Sequence, residues 1–384
     1  MQKVYFQHLD ALRTLAFMAV FYAHSATIFI GASLADGFPL NILKKTSVYG
    51  AYGVNFFFIL SGFLITYLLL KERAESPKKT FSIKDFYIKR VLRIWPVYFI
   101  TLAVGIFILP LLIPESTYSV LPMTNPHMTL EAILYNLFFA GNFYQGMGIG
   151  IASLSVGILW SVAVEEQFYL VWPWIVKYCT PRRLAFVTAF LITCSLLFKF
   201  LWAEDRLANY YLPWSVGMDL GLGALLGISY FLKRTTYIIK SSLAIIGVCL
   251  GLIGIVWGLG TRTEVVEIIR LVKSLVIDSI FVLILLYFIN RIKGHTGIFA
   301  HAHKALTYLG KISYGLYAYH SICFMLIVSL FYEIGVIDLV VSRAEYFFVF
   351  AVSLTCSILA AQVSYRYIEK PILGLRKRLL TSMK

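Results

Sequence analysis

Arg13 and His24 stand eleven residues apart in LDALRTLAFMAVFYAHS, the stretch from Leu9 to Ser25, a run otherwise apolar enough for lipid or a sealed core. Eleven residues are close to three helical turns. On a helix both side chains therefore project from nearly the same side, about 16 Å apart along the axis. Asp10, three residues before Arg13, shares that face. An acid, a guanidinium and an imidazole, the side chain suited to proton transfer near neutral pH, thus form one stripe. A charge inside an apolar segment is costly, so the stripe has to face protein or water. A purely structural arrangement, an Asp10–Arg13 ion pair and a hydrogen-bonded core histidine, satisfies that demand as well as a site does.

Two further constellations weigh toward a site. RVLRIWP puts Arg90 and Arg93 one turn apart at the entry to an apolar run. Two planar guanidinium forks on one helical face suit phosphate groups, although paired arginines also serve as plain membrane anchors. Pro96, inside the same run, predicts a bend or a freed carbonyl. WSVAVEEQFYLVWP, from Trp160 to Pro173, carries Glu165, Glu166 and Gln167 among aromatics. Neighbouring residues point about 100° apart on a helix, so the two glutamates do not easily share one partner. At least one is expected to face a polar interior, as a structural carboxylate or as part of a site.

Weaker signals accompany these. Asp219, Asp278 and Lys199 are further polar groups within apolar runs, and His320 lies among tyrosines in ISYGLYAYHS. Gly53, Ser61 and Gly62 in GVNFFFILSGFLIT permit close backbone approach or a helix break, packing being the commoner use. His295, His301 and His303 have no carboxylate or cysteine support, and no metal site is expected there.

The elements that must position these residues follow from composition. Of 384 residues, 60% are hydrophobic, 16% aromatic and only 14% charged, against about a quarter charged in a soluble domain. Several apolar runs exceed the roughly 18 residues that span a bilayer. The first is too long and too charged for a signal peptide. The hydropathy pattern predicts an all-α polytopic bundle of about ten transmembrane helices, near 10–31, 50–70, 91–113, 155–177, 184–202, 213–232, 242–260, 268–290, 308–331 and 345–367. The segment 130–140 adds an interfacial or re-entrant helix that, if it crossed, would invert everything after it. Cys179, Cys194, Cys249, Cys323 and Cys356 include no C-x-x-C pair and read as buried packing residues. No internal repeat is evident.

The net charge of +15 does not indicate nucleic acid, because the basic residues recur between apolar runs instead of forming one patch. From Lys71 to Arg93 there are eight Lys or Arg; from Pro114 to Leu130 there are none. This asymmetry predicts cytoplasmic N- and C-termini.

Taken together, the motifs resemble the acyltransferase-3 family of integral membrane acyltransferases. The resemblance rests on Arg13 and His24 after Leu9-Asp10, NFFFILSGFLIT, Arg90-x-x-Arg93 with Pro96, WSVAVEEQFYLVWP, LGKISYGLYAYHS and the ending Glu369-Lys370-Pro371, in order along nearly the whole chain. It implies transfer of an acyl group, commonly acetyl, from cytoplasmic acyl-coenzyme A to a hydroxyl of an envelope glycan, a lipid-linked sugar or another acceptor, in a bacterial cytoplasmic membrane. Acyl-CoA is then a substrate, and no permanently bound cofactor is expected. His24 is implied as general base or transient acyl carrier. Arg13 would stabilise the oxyanion or orient the donor, and Glu165 or Glu166 would orient His24 or neutralise Arg13. Arg90 and Arg93 would hold the coenzyme A phosphates, with Asp10, Ser61, Trp160, Gln167, Tyr319 and His320 as supporting or acceptor-side residues. Some members append an SGNH-hydrolase-like domain; residues 1–384 are expected to form a single membrane domain without one. The competing reading is a transporter or flippase whose buried charges line a substrate or proton path.

Overall fold

The computed structural model describes residues 6–31, 46–120, 125–150, 153–259, 263–290, 298–337 and 342–381. Every regular element among them is helical. The main helices are α1 (Gln7–Gly31), α2 (Tyr52–Glu75), α3 (Ile83–Ala103), α4 (Trp160–Tyr178), α5 (Pro181–Leu201), α6 (Pro213–Phe231), α7 (Thr235–Leu259), α8 (Thr263–Asn290), α9 (Ile298–Lys311), α10 (Ser313–Glu333), α11 (Arg343–Ser364) and α12 (Lys370–Thr381). Among the described residues, eight helical stretches, running through α2 to α6, α8, α10 and α11, are long and apolar enough to cross a membrane. α1 and α7, of 25 residues each, occupy the places of the first and seventh expected spans. The chain is an all-α polytopic integral membrane protein.

Local signals set the helix starts. Ser82 accepts the amide of Asp85 at the head of α3, and Thr180 accepts that of Arg183, with Pro181 opening α5. Ser342 and Glu345 form a reciprocal capping box at α11. Each supplies an acceptor for amides that the first turn leaves unbonded.

The single span expected over 308–331 is two helices. α9 has 14 residues, too short to cross, and breaks at Ile312 before α10 begins. It lies against the start of α1: Thr14 Oγ1 donates to Leu306 O at 2.7 Å, and a Cβ at Gly310 would overlap the carbonyl of Asp10. The helix in 130–140 is Leu130–Leu137, eight residues that also cannot cross. It stops at Phe139, whose φ of 54° no helix continues.

α3 continues through Pro96, which lies inside the helix. Its irregular turn lies further on, a π-helical turn over Val104–Ile108. A second π turn covers Tyr365–Glu369 between α11 and α12. Pro110 and Pro371 each stand two residues past such a turn. A proline has no amide for the carbonyl four residues back and collides with it, and widening the preceding turn relieves both faults.

The core centres on α2, with clusters shared among α2, α3, α4 and α6 and between α1, α10 and α11. Gly53 and Gly50 let the backbone of α1 approach at Ala16 and Ala19. α5 is peripheral, and Cys194 on it is exposed where a buried packing residue was expected. Cys323 is buried; the side chain of Cys249 lies outside the described residues.

Candidate active site

α1 carries Asp10, Arg13 and His24 on one face, and its neighbours divide that face into two levels. At the first, Arg13 Nη1 is ion-paired to Asp10 Oδ1 at 2.7 Å. Arg13 also stands within electrostatic reach of Arg93, Tyr169 and Glu165. Glu165, on α4, accepts from Ser61 Oγ at 2.5 Å and from Tyr169 OH at 2.9 Å. Glu166 points elsewhere and accepts from Trp95 Nε1 at 3.1 Å, while its Oε1 is buried without a hydrogen-bond partner among the described residues. The two glutamates thus diverge as helical geometry requires.

Arg90 and Arg93 enter this level from α3. The Arg90 guanidinium lies over the rings of Phe86 and Tyr169, 5.6 and 5.3 Å from their centroids, an arrangement that steadies a cation without neutralising it. Its Nε is buried without an acceptor among the described residues. Neither arginine is ion-paired among the described residues. Glu369, turned inward by the π turn ahead of Pro371, is buried and within electrostatic reach of Arg93. This level therefore gathers three guanidinium groups with spare donors, a setting for a polyanion.

At the second level His24 leaves the glutamates behind. Its hydrogen-bond partner is another histidine, with Nδ1 lying 2.8 Å from His320 Nε2. The two rings are nearly parallel, at 3°, with centroids 5.1 Å apart. His320 Nδ1 lies 2.7 Å from the carbonyl oxygen of Tyr317. Phe17 and Phe21 of α1 enclose His320, which is 1% exposed, while His24 is only half-buried. Tyr317 OH meets Ser161 Oγ at 2.7 Å, tying α10 to α4.

The remaining expected residues are dispersed. Gln167 Nε2 donates to Phe139 O and Asn142 Oδ1, both at 2.8 Å, and so ties α4 to the short helices before it. Trp160 packs on Phe58, Tyr210 and Tyr211. Tyr319 OH meets Ser364 Oγ at 2.9 Å, on the far flank of α10. Asp219 and Asp278 lie within electrostatic reach of each other in a separate buried group, with Asn55 donating to Asp219, Ser274 donating to Asp278 and Lys199 nearby. His303 lies against His8, ring centroids 4.9 Å apart; His295 and the side chain of His301 lie outside the described residues. Tyr169, Tyr317 and Glu369 join the site without having been expected there. Tyr169 had a legible signal, since it stands four residues, one turn, after Glu165.

Comparison with known proteins finds relatives of this chain. An uncharacterized protein of Haemophilus influenzae is 31% identical over 163 residues, 41% of this chain and 62% of its own length. A putative peptidoglycan O-acetyltransferase, YrhL, of Bacillus subtilis is 25% identical over 381 residues, 96% of this chain and 55% of its own. The peptidoglycan O-acetyltransferase OatA of Listeria monocytogenes is 28% identical over 169 residues, 44% of this chain and 24% of its own. The chain spans about half the length of the curated relatives it matches end to end. No solved structure matches it. A family model described as an acyltransferase domain matches residues 6–362, a stretch that takes in both levels of the α1 face and all but the Glu369 side of the arginine cluster. The chain belongs to the acyltransferase-3 family.

Proposed function

We propose that this chain is a membrane O-acetyltransferase that moves an acetyl group from cytoplasmic acyl-CoA to a hydroxyl of a cell-envelope glycan, in the cytoplasmic membrane of a bacterium. One observation carries the reading. A single face of α1 runs from a cluster of guanidinium groups with spare donors to an imidazole whose Nε2 has no hydrogen-bond partner among the described residues. Coenzyme A is a polyanion on a thin arm. Arg90 and Arg93 take its phosphates, and the arm follows α1 over the roughly 16 Å from the level of Arg13 to that of His24. The names of the Bacillus and Listeria relatives favour peptidoglycan as the acceptor.

His24 acts through Nε2 in either of two ways. As a base it takes the proton of the acceptor hydroxyl while that oxygen attacks the thioester carbon; the C–S bond breaks and the sulfur leaves with the proton as a thiol. As a carrier, Nε2 itself attacks the thioester carbon and the C–S bond breaks to release the thiolate; the acceptor oxygen then takes the acyl group from Nε2, and its hydroxyl proton passes to the sulfur, which leaves as a thiol. Arg13, held by Asp10, supplies a positive charge to the donor end of the path. Glu165 keeps that charge and Arg90 partly balanced while it is fixed by Ser61 and Tyr169.

The test is transfer by purified protein in proteoliposomes given acetyl-CoA labelled in the acetyl group and a glycan acceptor. The expected result is acceptor-dependent release of free thiol with label on the acceptor, abolished by His24→Ala in protein that remains folded and inserted. A folded His24→Ala variant with full activity removes His24 from the mechanism. Movement of the acceptor across the bilayer without consumption of acetyl-CoA replaces the enzyme with a transporter.

A further inference from the structure

A carbonyl oxygen can only accept a hydrogen bond. The 2.7 Å contact between Tyr317 O and His320 Nδ1 therefore puts a proton on that nitrogen. The opposite assignment would set two lone pairs against each other in a buried site, with neither satisfied. His320 is enclosed by Phe17, Phe21 and Tyr317, and no carboxylate pairs with it among the described residues. A second proton would place an uncompensated charge among aromatic rings inside the membrane. His320 Nε2 consequently presents a lone pair. Ser321 Oγ, at 3.4 Å, approaches that nitrogen as a weak second donor, in keeping with an acceptor there.

The lone pair points at His24 Nδ1, 2.8 Å away. The rings are parallel to within 3°, and their centroid separation of 5.1 Å exceeds the N···N distance by about what two ring radii add. The contact is therefore an in-plane hydrogen bond between ring edges, not a face-to-face stack. His24 Nδ1 is the donor, and the proton of the neutral His24 ring sits on Nδ1. We infer that His320, anchored by the Tyr317 carbonyl, is the positioning residue that holds His24 in the tautomer with a bare Nε2.

This inference rests on the acyltransfer reading of His24. It serves both routes, since a base and an acyl carrier alike need the Nε2 lone pair. The bond also steadies the ring after Nε2 gains a proton or an acyl group, because Nδ1–H then donates more strongly to His320. The arrangement parallels the carboxylate that fixes a catalytic histidine in hydrolases. Here a neutral imidazole does so, which a membrane interior tolerates better than a second charge.

The test compares two replacements of His320 in the proteoliposome assay. His320→Gln places a carbonyl oxygen near the lost Nε2 and can still accept from His24. His320→Phe keeps a ring of similar size among the phenylalanines but offers no acceptor. The expected result is a fall in kcat of about 10²–10³-fold for His320→Phe, with the KM for acetyl-CoA unchanged. His320→Gln is expected to keep about a tenth of the activity or more. A role in packing alone predicts the reverse order, and a Phe variant as active as the Gln variant overturns the inference.

Nitrogen-15 spectra of histidine-labelled wild-type protein read the tautomer directly and do not depend on whether either variant folds. An unprotonated Nε2 resonance that disappears in His24→Ala is expected; a protonated His24 Nε2 refutes the positioning role whatever the kinetics give. Should His24→Ala be inactive while both His320 variants match wild type, the acyltransfer reading stands and the role of His320 falls. Should His24→Ala remain active, His24 leaves the mechanism and the positioning role of His320 falls with it, while the acyltransferase activity itself stands.

Discussion

Gly62 on α2 and Gly223 on α6 are reciprocal: a Cβ at Gly62 would overlap the carbonyl of Leu220, and one at Gly223 would overlap that of Ile59. The two backbones touch along this line, and Gly227 continues it against Phe63. Only hydrogen side chains allow such an approach. The contact matters for the site because Ser61, next to Gly62, donates to Glu165. Gly223→Ala is expected to push the helices apart and destabilise the protein by about 1–3 kcal/mol, read as a lower unfolding midpoint in detergent. An unchanged midpoint would mean that the crossing is looser than this geometry.

Glu165 receives two side-chain hydrogen bonds, from Ser61 and Tyr169. Removing one donor leaves the other, whereas removing both strands a buried carboxyl group. Ser61→Ala and Tyr169→Phe are each expected to cost about 1 kcal/mol of stability, and the double variant about 1–3 kcal/mol beyond their sum. A double-mutant cycle in thermal denaturation measures the coupling; strict additivity would show that Glu165 finds another donor.

Arg90 is held over Phe86 and Tyr169 with its Nε free of protein acceptors. An arginine kept in place by rings retains its donors for a ligand. Arg90→Ala with Arg93→Ala is therefore expected to raise the KM for acetyl-CoA about 10–100-fold, the worth of losing charge-assisted hydrogen bonds, and to leave kcat nearly unchanged. Arg90→Lys is expected to resemble Arg90→Ala more than wild type, because an ammonium lacks the planar fork. Unaltered donor binding in the double variant would reduce both residues to membrane anchors.

Asp219 and Asp278 are both fully buried, stand within electrostatic reach of each other, and accept from Asn55 and Ser274 respectively. Two neighbouring buried carboxyls avoid like-charge repulsion when one of them keeps its proton. An amide can stand in for a protonated acid as donor. Asp278→Asn is expected to leave acetyl transfer and thermal stability close to wild type. Asp278→Leu is expected to destabilise by about 1–3 kcal/mol by stranding Asp219. A proton path through this pair, as a transporter would require, predicts instead that Asp278→Asn stops function.

Much of the helical plan was legible because a spanning helix is a property of its own residues. Apolar length sets it, and the bilayer leaves backbone groups no other partners. α2, α4, α5, α6, α8 and α11 lie within several residues of where hydropathy alone puts them. The departures are local. The gap at Ile312 is not visible in hydropathy, and α9, which ends just before it, docks closely on Asp10 at Gly310. Pro96 stays within a continuous α3, whereas Pro110 and Pro371 each follow a π turn.

For the candidate site, the sequence by itself determined that Asp10, Arg13 and His24 lie on one face, that Arg90 and Arg93 lie one turn apart, and that Glu165 and Glu166 diverge. Each of these follows from the 3.6-residue period of a single helix. Only the tertiary structure decided what meets that face. It gave Glu165 to Ser61, turned Glu369 toward Arg93, and set His320 of α10 against His24 across 296 residues of chain. Helical periodicity orders residues along one axis, but which axes lie side by side depends on glycine contacts and packing between helices far apart in the chain. No local spacing encodes that choice.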